Sequence, residues 1–89
     1  MKPVIHSNGT PAGILLRQYL AAHTALQRAM DALAHAAPHG RDYYPAGPAA
    51  FAEADEAHRN NVEALEKVRL HLMDMAEHCH SHIKHADIK

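Results

Sequence analysis

Ten histidines in 89 residues are the most chemically loaded feature of this sequence; they are spread along the chain, and five fall in His71-x-x-Asp74-x-x-x-His78-Cys79-His80-Ser81-His82-x-x-His85. On a helix, His78 and His82 stand one turn apart, His82 and His85 share a face, and His71 lies two turns before His78. Imidazoles at i,i+4 can chelate zinc, nickel or copper, and Asp74 would add an oxygen. The same geometry sets His71, His78, His82 and His85 opposite the apolar side of the helix, in water. There they lack the supporting hydrogen bonds that orient the ligands of a dedicated site. Cys79 points to the apolar side, so the apparent Cys/His cluster divides in space. The stripe is expected to be exposed and not to hold the fold together; a metal site on these four histidines is the alternative reading.

Other chemistry finds less support. There is no arrangement of Ser, His and Asp, no phosphate-cradling glycine loop and no carboxylate pair in an apolar setting, so an enzyme is not expected and no cofactor is called for. His58 falls within an apolar stripe, where a buried and hydrogen-bonded histidine is the expectation. His23 flanks the other seam, within reach of His58 or the tyrosines. With a net charge of -1 and acids interspersed with bases, the chain carries no nucleic-acid footprint. Its longest apolar run is far short of a membrane span, and Met1 to Ala12 has no apolar core of an export signal. The single cysteine, Cys79, cannot form an internal disulfide; its seam position implies a buried thiol in a reducing compartment, and the cytoplasm is the expected location.

The elements that position these residues read as helices. The chain is 47% apolar, but with no Trp and one Phe much of that fraction is alanine, which favours helix without filling a core. Residues 48–86 are expected to form one long helix, opened by Pro48 and by Glu53, Asp55 and Glu56 in its early turns. At about 100° per residue its seam is Phe51, His58, Val62, Leu65, Leu72, Ala76, Cys79 and Ile83, with Val68 at the edge. Glu56, Asn60, Glu63, Lys67, His71, Asp74, His78, His82 and His85 occupy the other side. Asp55 with Arg59 and Glu63 with Lys67 form i,i+4 pairs on a solvated face.

Residues 10–37 give a shorter helix, capped by Thr10 with Pro11 at the first helical position. Its seam is Leu15, Tyr19, Ala22, Leu26, Ala29 or Met30, Leu33 and Ala37, in steps of three and four. Leu16, Leu20 and His23 form a second patch that one partner helix does not cover. Residues 1–9 are an irregular arm whose apolar anchors are Val4 and Ile5. Pro38 and Gly40 stop the first helix. The linker, 38–47, is longer than a tight turn needs and should have structure of its own. Tyr43 and Tyr44, adjacent in it, point different ways, so one should pack over the end of the helix pair and one should not.

One mismatch follows from length. At about 1.5 Å per residue the helices span about 40 and about 58 Å, so in an antiparallel hairpin the last turns of helix 2, roughly Met75 to Ala86, project beyond Thr10. Cys79 and Ile83 would then need cover from the arm or from a second copy. The fold expected is all-α, a single-domain antiparallel two-helix hairpin that assembles into a four-helix arrangement. Leu16, Leu20, Cys79 and Ile83 are its expected interface. Function is expected to be that of a small non-enzymatic structural or protein-interaction module acting as a homo-oligomer, most simply a dimer, without nucleic-acid or membrane partners; the alternative is a metal-binding or metal-sensing module.

The middle third of the chain also carries a resemblance. Arg41-Asp42-Tyr43-Tyr44-Pro45-x-Gly47-Pro48, followed by an Ala- and Glu-rich helix with Glu56-Ala57-His58, resembles a group of small uncharacterised proteins encoded by bacterial phage-like and integrative elements. That resemblance implies a bacterial cytosolic helical hairpin. It implies no activity and assigns no functional residue.

Overall fold

The structure is a computed structural model that describes the backbone of residues 1–87 and the side-chain surroundings of residues 1–83. Among the described residues it is all-helical. Helix α1 spans Ala12–His35 and helix α2 spans Ala50–Asp87; two 3-10 turns, Gly40–Asp42 and Tyr44–Ala46, lie between them. The two long helices pack together into a rod of 65 × 21 × 19 Å. No helix among the described residues is long and apolar enough to cross a membrane.

Helix α1 begins one step later than its cap signal suggests. Pro11 stands at the boundary with ψ 144°, outside helical geometry, and no side chain caps the start. The first helical bonds instead run from the Ile14 and Leu15 amides to the Pro11 carbonyl. Thr10 is thereby displaced one residue too far upstream to reach the orphan amides that a capping hydroxyl serves. At the other end the Ala36 amide bonds to the Leu33 carbonyl at 3.0 Å. This tightened last turn forms just before Pro38, which disfavours helix in the residue preceding it.

Half-buried positions of α1 run Ala12, Leu16, Tyr19, His23, Leu26, Met30 and Leu33 in alternating steps of four and three, which Ala37 continues just past the helix end, and Gly13 is half-buried beside Ala12. Leu15 joins them. Ala22, assigned to the seam from its apolarity, is exposed and His23 takes its place; of the alternatives Ala29 and Met30, Met30 is the one turned inward. The helix is turned toward the side whose larger side chains cover more of α2, which is where apolar contact gains most.

In α2 the seam runs through His58, Leu65, Leu72 and Cys79 and through Arg69, Ala76 and Ile83, each series spaced by seven. It is closed only toward its second half. Met75, Ala76 and Cys79 are the buried core, at 4, 4 and 0% exposed, whereas Phe51 and Val62, expected in the seam, are 38 and 37% exposed. Val68, expected at its edge, is exposed as well.

The register of the two helices explains where the core sits. Gly13 lies so that a Cβ there would stand 3.9 Å from Cδ1 of Ile83, and Leu16 and Leu20 adjoin Met73, Ala76 and His80. The beginning of α1 therefore lies beside the end of α2. Since α2 has 38 residues and α1 has 24, the surplus of 14, about 21 Å at 1.5 Å per residue, falls at the start of α2. The expectation that Met75 to Ala86 would project beyond Thr10 is thus overturned. It assumed that the linker joins two level helix ends, whereas the linker absorbs the mismatch. Its turns are closed by Asp42 N–H to His39 O and Ala46 N–H to Tyr43 O, at 3.0 and 2.9 Å, and the second turn packs against α2. Gly47, at φ 109°, redirects the chain into α2 through a conformation that side-chain-bearing residues adopt at a cost.

Candidate functional site

The two flanks of α2, on either side of its seam with α1, carry the histidine stripe and the apolar grooves. They are unlike each other. One is covered by the N-terminal arm, and the other is bare.

On the covered flank the arm runs over the histidine-rich stretch. His78 Nε2 lies 2.7 Å from the Pro3 carbonyl oxygen, and because a carbonyl only accepts, Nε2 carries the proton and donates. Lys2 Nζ stands 3.4 Å from Asp74 Oδ1, with both side chains about half exposed. Such a pair contributes little by itself. Pro3 and Ile5 are half-buried, so the arm lies along the flank of α2 that carries Asp74 and His78, next to the buried Met75 and Cys79 in sequence. Val4, expected to be an anchor, is 80% exposed; along an extended segment neighbouring side chains alternate, and Ile5 takes the inward position. A turn closes the arm, with the Gly9 amide bonded to the His6 carbonyl at 3.1 Å. The His6 ring sits so close that a Cβ at Gly9 would come 2.8 Å from its Nε2.

The histidine stripe is therefore divided. His71 and His82 are exposed, as their angular positions predict, while His78 is half-buried beneath the arm. The expectation of a wholly solvated stripe fails at His78 because it weighed only the contact between helices, and the arm is a third body. His78 and His82 stack edge-to-face with ring centroids 4.8 Å apart. His85 lies outside the residues whose side chains are described. Among the described residues no group of three or more His, Cys, Asp or Glu side chains converges as a metal site would. One nitrogen of His78 is engaged by Pro3, and Asp74, the candidate oxygen ligand, faces Lys2.

Two other histidines exchange their expected roles. His58 is half-buried and makes no side-chain hydrogen bond among the described residues; it edges an open groove. His23, placed on the flank of the seam, lies within it, and its Nε2 is buried without a hydrogen-bond partner. Cys79, assigned to an interface between copies, is wholly enclosed within its own chain, and burial pushes its thiol pKa up. Ile83 is half-buried against the start of α1. Cys79 is therefore not free to meet a partner, while Ile83 keeps part of its surface open. Both were assigned outward on the premise of an overhang that the register removes.

The bare flank holds the remaining candidates. Leu16 is half-buried and Leu20 is 44% exposed. With Met73, Ala76, Glu77 and His80 they line a shallow groove between the helices. A second shallow groove continues along α2, with Val62 and Leu70 framed by Arg59, Glu63, Glu66 and Lys67, and its walls are almost wholly apolar. The charged residues supply their methylene stems to it. Leu70 is 55% exposed. Glu66 is held by Arg69, whose Nε lies 2.8 Å from Oε2 and whose Nη2 bonds the other oxygen, and this hydrogen bonding lowers the Glu66 pKa. Arg59 pairs with Asp55 one turn back. Glu63 and Lys67, expected to pair, are not bridged. At the linker end Tyr43 is half-buried and Tyr44 is 74% exposed.

The bare flank could have been found from sequence by extending the Leu16 and Leu20 patch onto α2. Val62 and Leu70 stand two turns apart on one side. Assigning Val62 to the seam hid that continuity. Comparisons with known protein families, with curated proteins and with solved structures found no match.

Proposed function

We propose that this chain is a small non-enzymatic helical module, an antiparallel hairpin that acts as a homo-oligomer, with two copies completing a four-helix arrangement in the cytoplasm. The observation that carries the reading is its surface. The chain exposes 6678 Å², against about 5,200 Å² for a compact monomer of 9.8 kDa. The excess, about 1,500 Å², is more than the roughly 800 Å² that each partner contributes to a standard interface. The radius of gyration tells the same way, at 19.3 Å where about 12 Å suits a compact chain of this length. Among the described residues three, all within one short span of α2, form the buried core, which is a small core for a stable monomer. The resemblance of Arg41 to Pro48 to proteins of bacterial phage-like elements suits the same kind of hairpin.

Light scattering at micromolar concentration should give twice the chain mass or more, and thermal unfolding should shift upward with concentration, as mass action requires of an oligomer. A monomer that keeps full helicity on dilution contradicts the proposal. The edge-to-face pair His78 and His82 supports a second reading, a metal-binding module using the exposed side of that pair. A stoichiometric metal retained through purification, with stability lost to a chelator, would favour it over the first.

A further inference from the structure

We infer that the second copy docks on the bare flank of α2, across Leu16, Leu20, Val62, Leu70 and Met73, and not on the flank beneath the arm. This rests on the homo-oligomer reading and gives it a surface.

The two grooves are parts of one strip. At about 100° per residue Val62, Met73 and Leu70 lie on the same side of the α2 seam, and His78 and His82 lie on the other. The first groove extends from His58 to Leu70 and the second from Met73 to His80, so the strip runs 22 residues, about 33 Å. Leu16 and Leu20 widen it across α1.

Its charges select the occupant. Arg59 and Lys67 are interspersed with Glu63, Glu66 and Glu77 along the strip, with Arg59 paired to Asp55 and Glu66 to Arg69 within the chain. A two-fold axis sets the same patch against itself, so a patch of one sign would repel its copy, while a patch of both signs can pair its acids with its bases. An acidic or a basic partner would meet like charge on half the strip. A second copy, turned about a two-fold axis, can bring Leu20, Val62 and Leu70 together behind that mixed rim, an apolar centre within a polar surround.

The opposite side of the seam supplies a matched control, because Val68 there is 48% exposed, close to Leu70 at 55%. The full chain with Leu20→Lys and Leu70→Lys should keep its helicity and lose dimer affinity at least about a hundredfold, about tenfold for each buried contact replaced. Val68→Lys should leave the dissociation constant within about twofold. Analytical ultracentrifugation reads both. If the double variant loses helicity, thiol labelling decides instead. A Leu70→Cys thiol should react more slowly above the dissociation constant than below it, and a Val68→Cys thiol equally at both, with buried Cys79 silent. Dimerisation of the double variant at wild-type strength, or concentration-dependent protection at position 68 and not 70, overturns the inference while leaving the oligomer standing. A wild-type chain that is monomeric throughout overturns both.

Discussion

The two flanks of α2 differ in composition and in state, and the more polar one is the covered one. One carries His71, Met75, His78 and His82, and the other Val62, Leu70, Met73 and His80. Met75 is 4% exposed, while Leu70, a residue of comparable size, is 55% exposed. Leu70 lies farther round the helix from the seam than Met75 does. The Met75 flank also carries the arm, through the Pro3 carbonyl at His78 and the half-buried Ile5, and the Leu70 flank carries no such cover among the described residues.

Removing apolar contacts should show that difference most strongly. Met75→Ala, emptying the covered core, should cost about 2–5 kcal/mol in urea denaturation. Leu70→Ala in the dissociated chain should stay within about 0.5 kcal/mol, as for an ordinary surface change. Equal losses would erase the distinction between the flanks.

Deleting residues 1–9 should come next, with a loss of about 2–4 kcal/mol for the lost apolar contacts of the arm and the broken Pro3 bond. It should also open Cys79 to thiol reagents that do not reach it in the intact chain. A Cys79 that stays unreactive without the arm would mean that α1 alone encloses it.

A smaller effect is expected from His78→Phe, which keeps a ring but removes the donor to the Pro3 carbonyl, at about 0.5–1.5 kcal/mol. His82→Gln, on an exposed side chain of the same flank, should be near neutral. If His82→Gln proves the more costly of the two, the edge-to-face pair matters more than the arm contact.

The least effect belongs to acid titration on the bare flank. Arg69 lowers the Glu66 pKa by hydrogen bonding, so the folded chain releases that proton more readily than the unfolded chain does. The stabilisation is present above the unfolded carboxylate value, about 4.3, and is lost as pH falls through the depressed folded value. Glu66→Gln should flatten that part of the profile. An unchanged acid limb would show the pair to be without weight in solution.

Much of this architecture is legible in the sequence. Alanine content, heptad steps and the Pro38 to Pro48 punctuation define two helices whose ends fall within about two residues of the observed ones. The Pro-rich linker reads as structured, which its 3-10 turns confirm in kind. The register was not legible, because it depends on how far the linker runs back along α2, and the hydrogen bonds that set this path lie among residues without periodicity. The arm was legible only as a candidate cover. Periodicity predicts faces for pairs of helices, and a short segment such as Pro3-Val4-Ile5 has no period to read. Cys79 and Ile83 were legible as seam positions, but their expected exposure beyond α1 was not the outcome, because the register that covers them is a tertiary fact. His23 shows a further limit, since apolarity favoured Ala22 and the helix turned toward the imidazole.

The bond between Pro3 and His78 joins positions 75 apart in an 89-residue chain. Nearly the whole polypeptide lies inside the loop it closes, and closure becomes inexpensive only after α1 and α2 have already paired and brought their ends together. The arm should therefore dock late, after the rate-limiting step of folding, and leave early when the protein comes apart. In a stopped-flow chevron its removal should accelerate unfolding and leave the refolding arm almost unmoved, the signature of contacts absent from the transition state.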